Sequence, residues 1–409
     1  MDFSARSRRV LGLAAAFAVP LLLGGCLGGG GFSGGEGPVA QTPILPAEQP
    51  AAVDGRSTGS IGAGSVKVAL ILPLTGQGQG AVAATSLRNA AELALSEFQN
   101  PDVAVVVKDD RGTAEGARQA AEEALAEGAE LIVGPLFAPA VQAAGQVAKQ
   151  AGRPVIAFST DATVASRGVY LLSFLAQEEV DRIVAYASAQ GRRSFAALVP
   201  ENTYGSVVEA QFREAAAKRG ARVVAMERYA PGQAQGAVQR IAPLITGVNA
   251  QADAIFLPDN AEGLPGVAQA LSQVGFDPQR VKPLGTGVWN DPRVFRTPAL
   301  QGGWFAAPDS AGFNAFAGRY RAKFGSDPTR IATLSYDAVS LAAALVRTQG
   351  SQRFAEGVLT NPSGFSGADG VFRFRPDGLN DRALAVLEIR NGAAAPVSPA
   401  PKALSPSGT

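Results

Sequence analysis

The 409-residue chain contains no histidine and a single cysteine, Cys26, and these two scarcities remove most familiar chemistries. Without His there is no Ser-His-Asp or Cys-His nucleophile arrangement, and no side chain whose ordinary pKa suits a neutral-pH general base. Zinc sites built on Cys or His are excluded as well. One thiol cannot close an internal disulfide, so the fold must rest on its hydrophobic core. An excess of either charge is also missing: 36 Lys and Arg stand against 35 Asp and Glu, a formal charge of +1. Residues 1–25 hold three Arg and one Asp, which leaves the remainder near −1. That balance offers no basic face for nucleic acid. No serine has a visible base, and no catalytic residue, metal site or cofactor is expected.

What is present begins with an address. Arg6, Arg8 and Arg9 precede an uncharged apolar stretch over 10–23, and Leu23-Gly24-Gly25-Cys26 follows. A basic start, a short apolar core and small residues before a cut describe a secretory signal over 1–25. The 14-residue stretch falls short of the roughly 20 residues of a spanning helix. The segment resembles the lipobox of bacterial lipoproteins. That resemblance implies lipidation of Cys26 and a chain held on a membrane outside the cytoplasm. Leu27, standing where Asp would retain the protein at the inner membrane, resembles the sorting signal for the periplasmic side of the outer membrane.

From Leu27 to Ser65 the chain is Gly, Pro, Ala, Ser and Gln with few large apolar residues. Such a segment cannot offset its chain entropy, so 26–65 reads as a flexible tether averaging about 35 Å in span. The segment 391–409, with Pro396, Pro399, Pro401 and Pro406, is expected to be a disordered tail. Between them, 46% hydrophobic composition and more than about 300 residues suit two lobes better than one core.

Inside 66–390, short apolar runs alternate with helical patterns. Strands are expected at 66–72, 103–107, 131–133, 155–158, 195–199, 222–226, 254–257 and 282–285, and helices at 83–98, 114–127 and 140–151. Continuous apolar strands between helices predict an α/β fold with parallel sheets covered on both faces. The series restarts at Ser194, so two doubly wound lobes are expected. Ligands of such sheets bind outside the carboxyl ends of the strands. Asp377-Gly378 between 370–374 and 383–389 predicts a closing antiparallel hairpin.

Several segments together resemble the type I periplasmic-binding proteins of the leucine-binding branch. They are Leu72-Pro73-Leu74-Thr75-Gly76, Lys108-Asp109-Asp110, Ile132-Val133-Gly134-Pro135-Leu136, 154–159 and 200–205, with the hairpin at the end. The resemblance covers nearly all of 66–390. It implies two α/β lobes joined by three hinge crossovers around a ligand, in a non-enzymatic binding protein. The lobes are expected at 66–186 with 310–360, and at 187–309 with 361–390. In amino-acid-binding members the clasp is a Ser after the third strand, Ala and Thr after the fourth, a Tyr before Gly, and a carboxylate further on. Here Phe137-Ala138 replaces the Ser, Thr163 and Tyr204 match, Asp161 replaces a small residue, and 285–290 holds no Glu. A buried zwitterion without its paired charges costs several kcal/mol, which weighs against a free amino acid held in the usual way.

The departures resemble the penicillin-binding-protein activator lipoproteins, with 134–136, 157–159 and 168–174 carrying the likeness. That resemblance implies a penicillin-binding protein as partner and a role in peptidoglycan synthesis. The alternative is an ABC-importer receptor for an amino acid (leucine-type) or amide-like solute, with a permease as partner. The cleft residues expected under either are Thr75, Phe137, Ala138, Ser159, Thr160, Asp161, Thr163, Tyr204, Asn260 and Trp289.

Several of these have a plainer reading. Ser159 and Thr160 can donate to a ligand or cap the next segment. Tyr204 can wall a cleft or finish a helix turn. Trp289 and Trp304, the two tryptophans, can anchor a ligand or partner, or pack their own loops. Gly76-Gln77-Gly78-Gln79-Gly80-Ala81 fits the dinucleotide pattern. Its ribose acid would be Asp109 or Asp110, about 30 residues on instead of about 20, and the helix is expected only at 83. A cleft loop is the better account. Asp109-Asp110-Arg111 reads as a strand-end turn with a local ion pair.

Overall fold

Residues 59–404 are described by the computed structural model. Cys26, the leader and the tether through residue 58 lie outside the described residues. Lobe 1 begins with β1 (Gly59–Ile61), β2 (Val66–Leu72), α1 (Gln79–Ser96), β3 (Val103–Asp109) and α2 (Ala114–Ala126). It continues through β4 (Ala129–Val133), α3 (Ala138–Gln150), β5 (Val155–Ala157) and β6 (Val169–Leu171). The chain then enters lobe 2 with α4 (Ala176–Ala189), β7 (Ser194–Pro200), α5 (Thr203–Lys218), β8 (Arg222–Tyr229) and α6 (Ala234–Ile245). There follow β9 (Ala254–Phe256), α7 (Leu264–Gln273), β10 (Lys282–Gly285), α8 (Pro292–Phe295) and β11 (Trp304–Ala307). It returns to lobe 1 for α9 (Ser310–Phe324), α10 (Ala332–Gln349), α11 (Glu356–Leu359), β12 (Phe365–Gly367), β13 (Gly370–Phe374) and β14 (Asn380–Arg382). It closes in lobe 2 with β15 (Ala385–Arg390) and β16 (Ala393–Ser398).

The lobe 1 sheet runs β1-β3-β2-β4-β5-β6, parallel except for β1. Its central strand shows why the apolar run is continuous. Val68, Leu70 and Leu72 face a core shared with α1 and α10, while Ala69 and Ile71 face one shared with α2 and α3. A strand covered on both faces has no solvent side to spend on polar residues. The helices over it are rich in Ala (Ala117, Ala120, Ala121, Ala140, Ala144), all buried. The lobe 2 sheet runs β16-β15-β11-β10-β9-β7-β8, with β15 and β16 antiparallel. Phe212 and Phe256 stack over it at 4.6 Å. Helices α2 and α5, which follow β3 and β7, start on side-chain caps: Thr113 Oγ1 accepts from Gly116 N–H at 2.9 Å and Asn202 Oδ1 from Gly205 N–H at 2.7 Å.

Three crossovers join the lobes, at 172–175, 308–309 and 383–384. Their positions correct the expected boundaries. Val180, Ile183, Val184 and Ala187 of α4 pack against Phe195 and Phe212 of lobe 2, so the first crossover comes before α4. Phe372 and Phe374 of β13 belong to the lobe 1 core. The small sheet β12-β13-β14 therefore lies with lobe 1, and only 385 onward returns to lobe 2. The Asp-Gly turn does join β13 antiparallel to β14, but β15 leaves for the other sheet.

Both ends of the folded unit reach further than composition suggested. Residues 59–61, assigned to the tether, form an edge strand on β3, and Asp102 accepts from Ser65 N–H and Oγ–H at 2.6 and 2.7 Å. Residues 393–398, assigned to the disordered tail, form β16, and Arg182 Nη2 donates to Ser398 Oγ at 2.7 Å. Pro396 is tolerated there because β16 is an edge strand. Among the described residues no helix is long and apolar enough to cross a membrane.

Candidate functional site

All of β2, β3, β4 and β5 run parallel, so their carboxyl ends open on one edge of lobe 1, and β7, β9, β10 and β11 do the same in lobe 2. A cavity of about 770 Å3 lies where these edges face one another. Lobe 1 supplies Thr160, Asp161, Ala162 and Thr163 after β5, and Arg330 before α10. Lobe 2 supplies Ala176, Gln177 and Glu179 of α4, Thr203, Tyr204 and Val207 of α5, and Gly287, Val288 and Asn290 after β10. Phe174 comes from the first crossover, Ala307 from the end of β11 and Pro308 from the second crossover.

Asp161, Tyr204 and Arg330 of this wall are held by the protein itself, while Gln177 Oε1 is buried without a partner. Asp161 Oδ1 accepts from Thr163 N–H at 2.9 Å and Thr163 Oγ1 at 2.7 Å, which closes a one-turn cap. Tyr204 and Thr286 share a hydroxyl hydrogen bond of 2.6 Å, and burial pushes the tyrosine's ionisation far up, so it stays neutral. Arg330 is bidentate to the buried Asp369 at 2.9 and 2.8 Å. Its guanidinium also lies 4.6 Å from the Phe174 ring and 4.7 Å from Phe313. Phe174 receives a second guanidinium, Arg382, at 4.8 Å, whose Nε donates to the Ser173 carbonyl at 3.2 Å. The first crossover is thus tied to the end of β14, just before the third.

Glu179 is the outlier. It is 7% exposed, and burial raises its carboxyl from 4.5 to about 7, against the lowering effect of the Gly287 N–H at 2.9 Å and the nearby Arg330. Gly287 is needed for that approach, since a Cβ there would fall 2.4 Å from Glu179 Oε1.

Of the ten cleft residues expected from sequence, Thr160, Asp161, Thr163 and Tyr204 line the cavity. The rest do not. Ser159 is 3% exposed and its Oγ accepts from Asp161 N–H at 3.1 Å, so it caps the loop that Thr160 presents. Thr75 donates to Asp109 and is held in its own loop. Phe137 lies over Gly80, where a Cβ would fall 3.0 Å from the ring, and Ala138 opens α3. Asn260 Oδ1 accepts from the N–H groups of Glu262 and Gly263, both at 3.1 Å. Trp289 is fully buried, with its indole N–H on the Leu257 carbonyl at 2.9 Å. Trp304 likewise spends its N–H on Glu388 at 2.7 Å.

Sequence reasoning missed Phe174, Gln177, Glu179, Val207, Arg330 and Pro308. They sit on crossovers and helix starts, whose position depends on which lobe each helix joins. Two local expectations also change. Helix α1 begins at Gln79, inside the glycine pattern, but Asp109 is bound to Thr75 and to Arg111 N–H, at 2.9 Å for the latter. The expected ion pair in Asp109-Asp110-Arg111 is absent; Arg111 Nη2 donates to Gln119 at 3.1 Å instead.

Tyr204→Phe should lower stability by about 1–2 kcal/mol, because Thr286, 0% exposed, loses its partner inside the lobe. A urea midpoint equal to that of the parent would show that this hydroxyl pair contributes nothing.

A family profile described as "Periplasmic binding protein" matches residues 65–394. Among solved structures, a putative branched-chain amino acid ABC transporter protein from Rhodospirillum rubrum aligns with a TM-score of 0.72 at 22% identity, over 81% of this chain and 99% of that one. A branched-chain amino acid ABC transporter periplasmic ligand-binding protein from Burkholderia xenovorans gives 0.66 at 18% identity, over 82% and 96%. A solute-binding protein of an R. palustris ABC transporter, in complex with 4-hydroxybenzoate, gives 0.60 at 18%, over 84% and 98%. At these identities the likeness is one of fold. No curated protein matches the chain.

Proposed function

The chain belongs to the periplasmic binding protein family, and on that premise we propose that it is the solute receptor of an ABC importer. It binds one small organic molecule between its lobes and presents it to a permease. Members of this family are substrate-binding proteins of the periplasm. The observation that carries the reading is the cavity itself: about 770 Å3, at the carboxyl ends of strands from both lobes. That volume and its wall, apolar side chains with a few fixed polar groups, are what small-ligand sites have in common. The solved relatives named above are titled as ABC transporter proteins, which supports the same role here.

A thermal-unfolding screen against amino acids, amides, organic acids and amines tests it. A true ligand at a hundredfold excess over its Kd should stabilise the protein by about 2.7 kcal/mol. A screen without any stabilising compound would remove the receptor role. It would restore the second reading, an envelope lipoprotein that contacts a penicillin-binding protein in peptidoglycan synthesis. That reading draws on the activator-like segments and on the missing clasp for a free amino acid, and a pulldown from envelope membranes that recovers a peptidoglycan synthase would support it. Both readings include a lipid on Cys26; a place at the outer membrane, from Leu27, favours the second, since an importer receptor is expected near its inner-membrane permease.

A further inference from the structure

Glu179 lies in the cavity wall with one carboxyl oxygen on the Gly287 N–H and no hydrogen-bond or ion-pair partner for the other among the described residues. A buried carboxyl left half-answered costs free energy, and a site that keeps one normally uses it. Asp161 stands in the facing wall of lobe 1. Among the described residues the cavity's one cation is Arg330, already matched by the bidentate Asp369 and stacked on Phe174. The charge without an ion-pair partner around the empty space is therefore negative, Glu179 from lobe 2 and Asp161 from lobe 1, whose Oδ1 is held by Thr163, and the neutral Gln177 Oε1 adds a buried acceptor without a partner. The helix starts at the wall do not reverse this. The first turn of α4 carries Glu178 and Glu179, which answer its positive end, and Asn202 caps α5. Hydrocarbon surface in the same wall comes from the Tyr204 ring, Val207, Val288 and Pro308.

We infer that the cleft takes a small organic cation, an ammonium or amidinium head on an apolar body, with the head answering Glu179 and Asp161 and the body against that hydrocarbon. This rests on the receptor reading and names its ligand class. An anion would meet two like charges with no free cation to offset them. A neutral solute would leave Glu179 as it is.

The pH dependence follows. The groups facing Glu179 are the Gly287 N–H, Arg330 at the start of α10, and the neutral Tyr204 hydroxyl of α5. Its carboxyl keeps its proton up to about pH 7, and a cation binds the deprotonated form. Affinity for a cation should then be about tenfold higher at pH 8 than at pH 6.

The experiment uses two matched series, 2-phenylethylamine, 2-phenylethanol and 3-phenylpropionate, and pentylamine, pentanol and hexanoate, titrated into the folded protein by calorimetry. The amine should bind tightest within a series. Glu179→Gln, which keeps an acceptor for Gly287 N–H, should weaken the amine at least tenfold, or about 1.4 kcal/mol, and leave the alcohol unchanged. Asp161→Asn should act in the same direction. Tighter binding of the alcohol or the carboxylate, an amine affinity indifferent to both substitutions, or no binding by any member would each overturn the cation assignment. The receptor role stands or falls separately, on the broad screen.

Discussion

Trp289→Ala is expected to lower the unfolding free energy by about 3–5 kcal/mol. The indole is fully buried, 6.2 Å from the Phe305 ring, and donates to the Leu257 carbonyl. Its surroundings cannot close over the space it would leave. Gly285 and Gly303 line the ring, and a Cβ at those positions would fall 2.1 and 3.0 Å from it. With no side chains there to swing inward, the cavity persists and the loss falls at the upper end for a large-to-small change. Trp289→Phe retains most of the ring but removes one of two donors to the Leu257 carbonyl, which keeps the Asp259 N–H at 2.9 Å, and should cost about 1 kcal/mol. Because 287 and 288 ride on the same turn into the cavity wall, Trp289→Ala should also weaken any cleft ligand. Urea unfolding followed by circular dichroism decides it; a loss below about 1 kcal/mol would place Trp289 outside the core.

That residue marks where the sequence stops being readable. The strands were legible because each is an apolar run between helices, and β2 divides cleanly between two cores. Two lobes were legible from the number of such runs. The lobe boundaries were not: α4 is amphipathic, and an apolar stripe does not say which sheet it covers. The edge strands β1 and β16 are largely exposed and hold one large apolar residue each, Ile61 and Val397, among Gly, Ser, Ala and Pro, too few to give a hydrophobic period. In the cavity, Thr160, Asp161, Thr163 and Tyr204 were legible because they follow strand ends directly. Glu179 was not, since an acid in the first turn of a helix ordinarily faces solvent and answers the helix dipole. Only its burial against Gly287, 108 residues away in sequence, separates it from Glu178.

Glu179→Gln should stabilise the ligand-free protein at alkaline pH while weakening its binding of cations. In the folded parent the carboxyl holds its proton to about pH 7, against 4.5 in an unfolded chain. The folded state therefore binds more protons between those values, and stability falls as pH rises through that window. Below about pH 4.5 the contribution is fully present; above about 7 it is lost. At about 1.4 kcal/mol per unit, the loss amounts to roughly 3 kcal/mol. Glutamine is neutral throughout, fills the same space and still accepts from Gly287 N–H, so the variant escapes that loss. Asp110, Glu178 and Asp337 are also raised by burial, to about 6, 7 and 7. They impose the same trend on both proteins and cancel in the difference. Urea midpoints for parent and variant from pH 5 to 8 should thus diverge, with the variant gaining as pH rises. Parallel curves would mean that the carboxyl is solvated in the free protein, and the strain assigned to it would not exist. Divergence together with weaker amine binding would identify Glu179 as a group whose cost to the empty receptor is recovered when the ligand arrives, the usual relation between stability and function at a binding site.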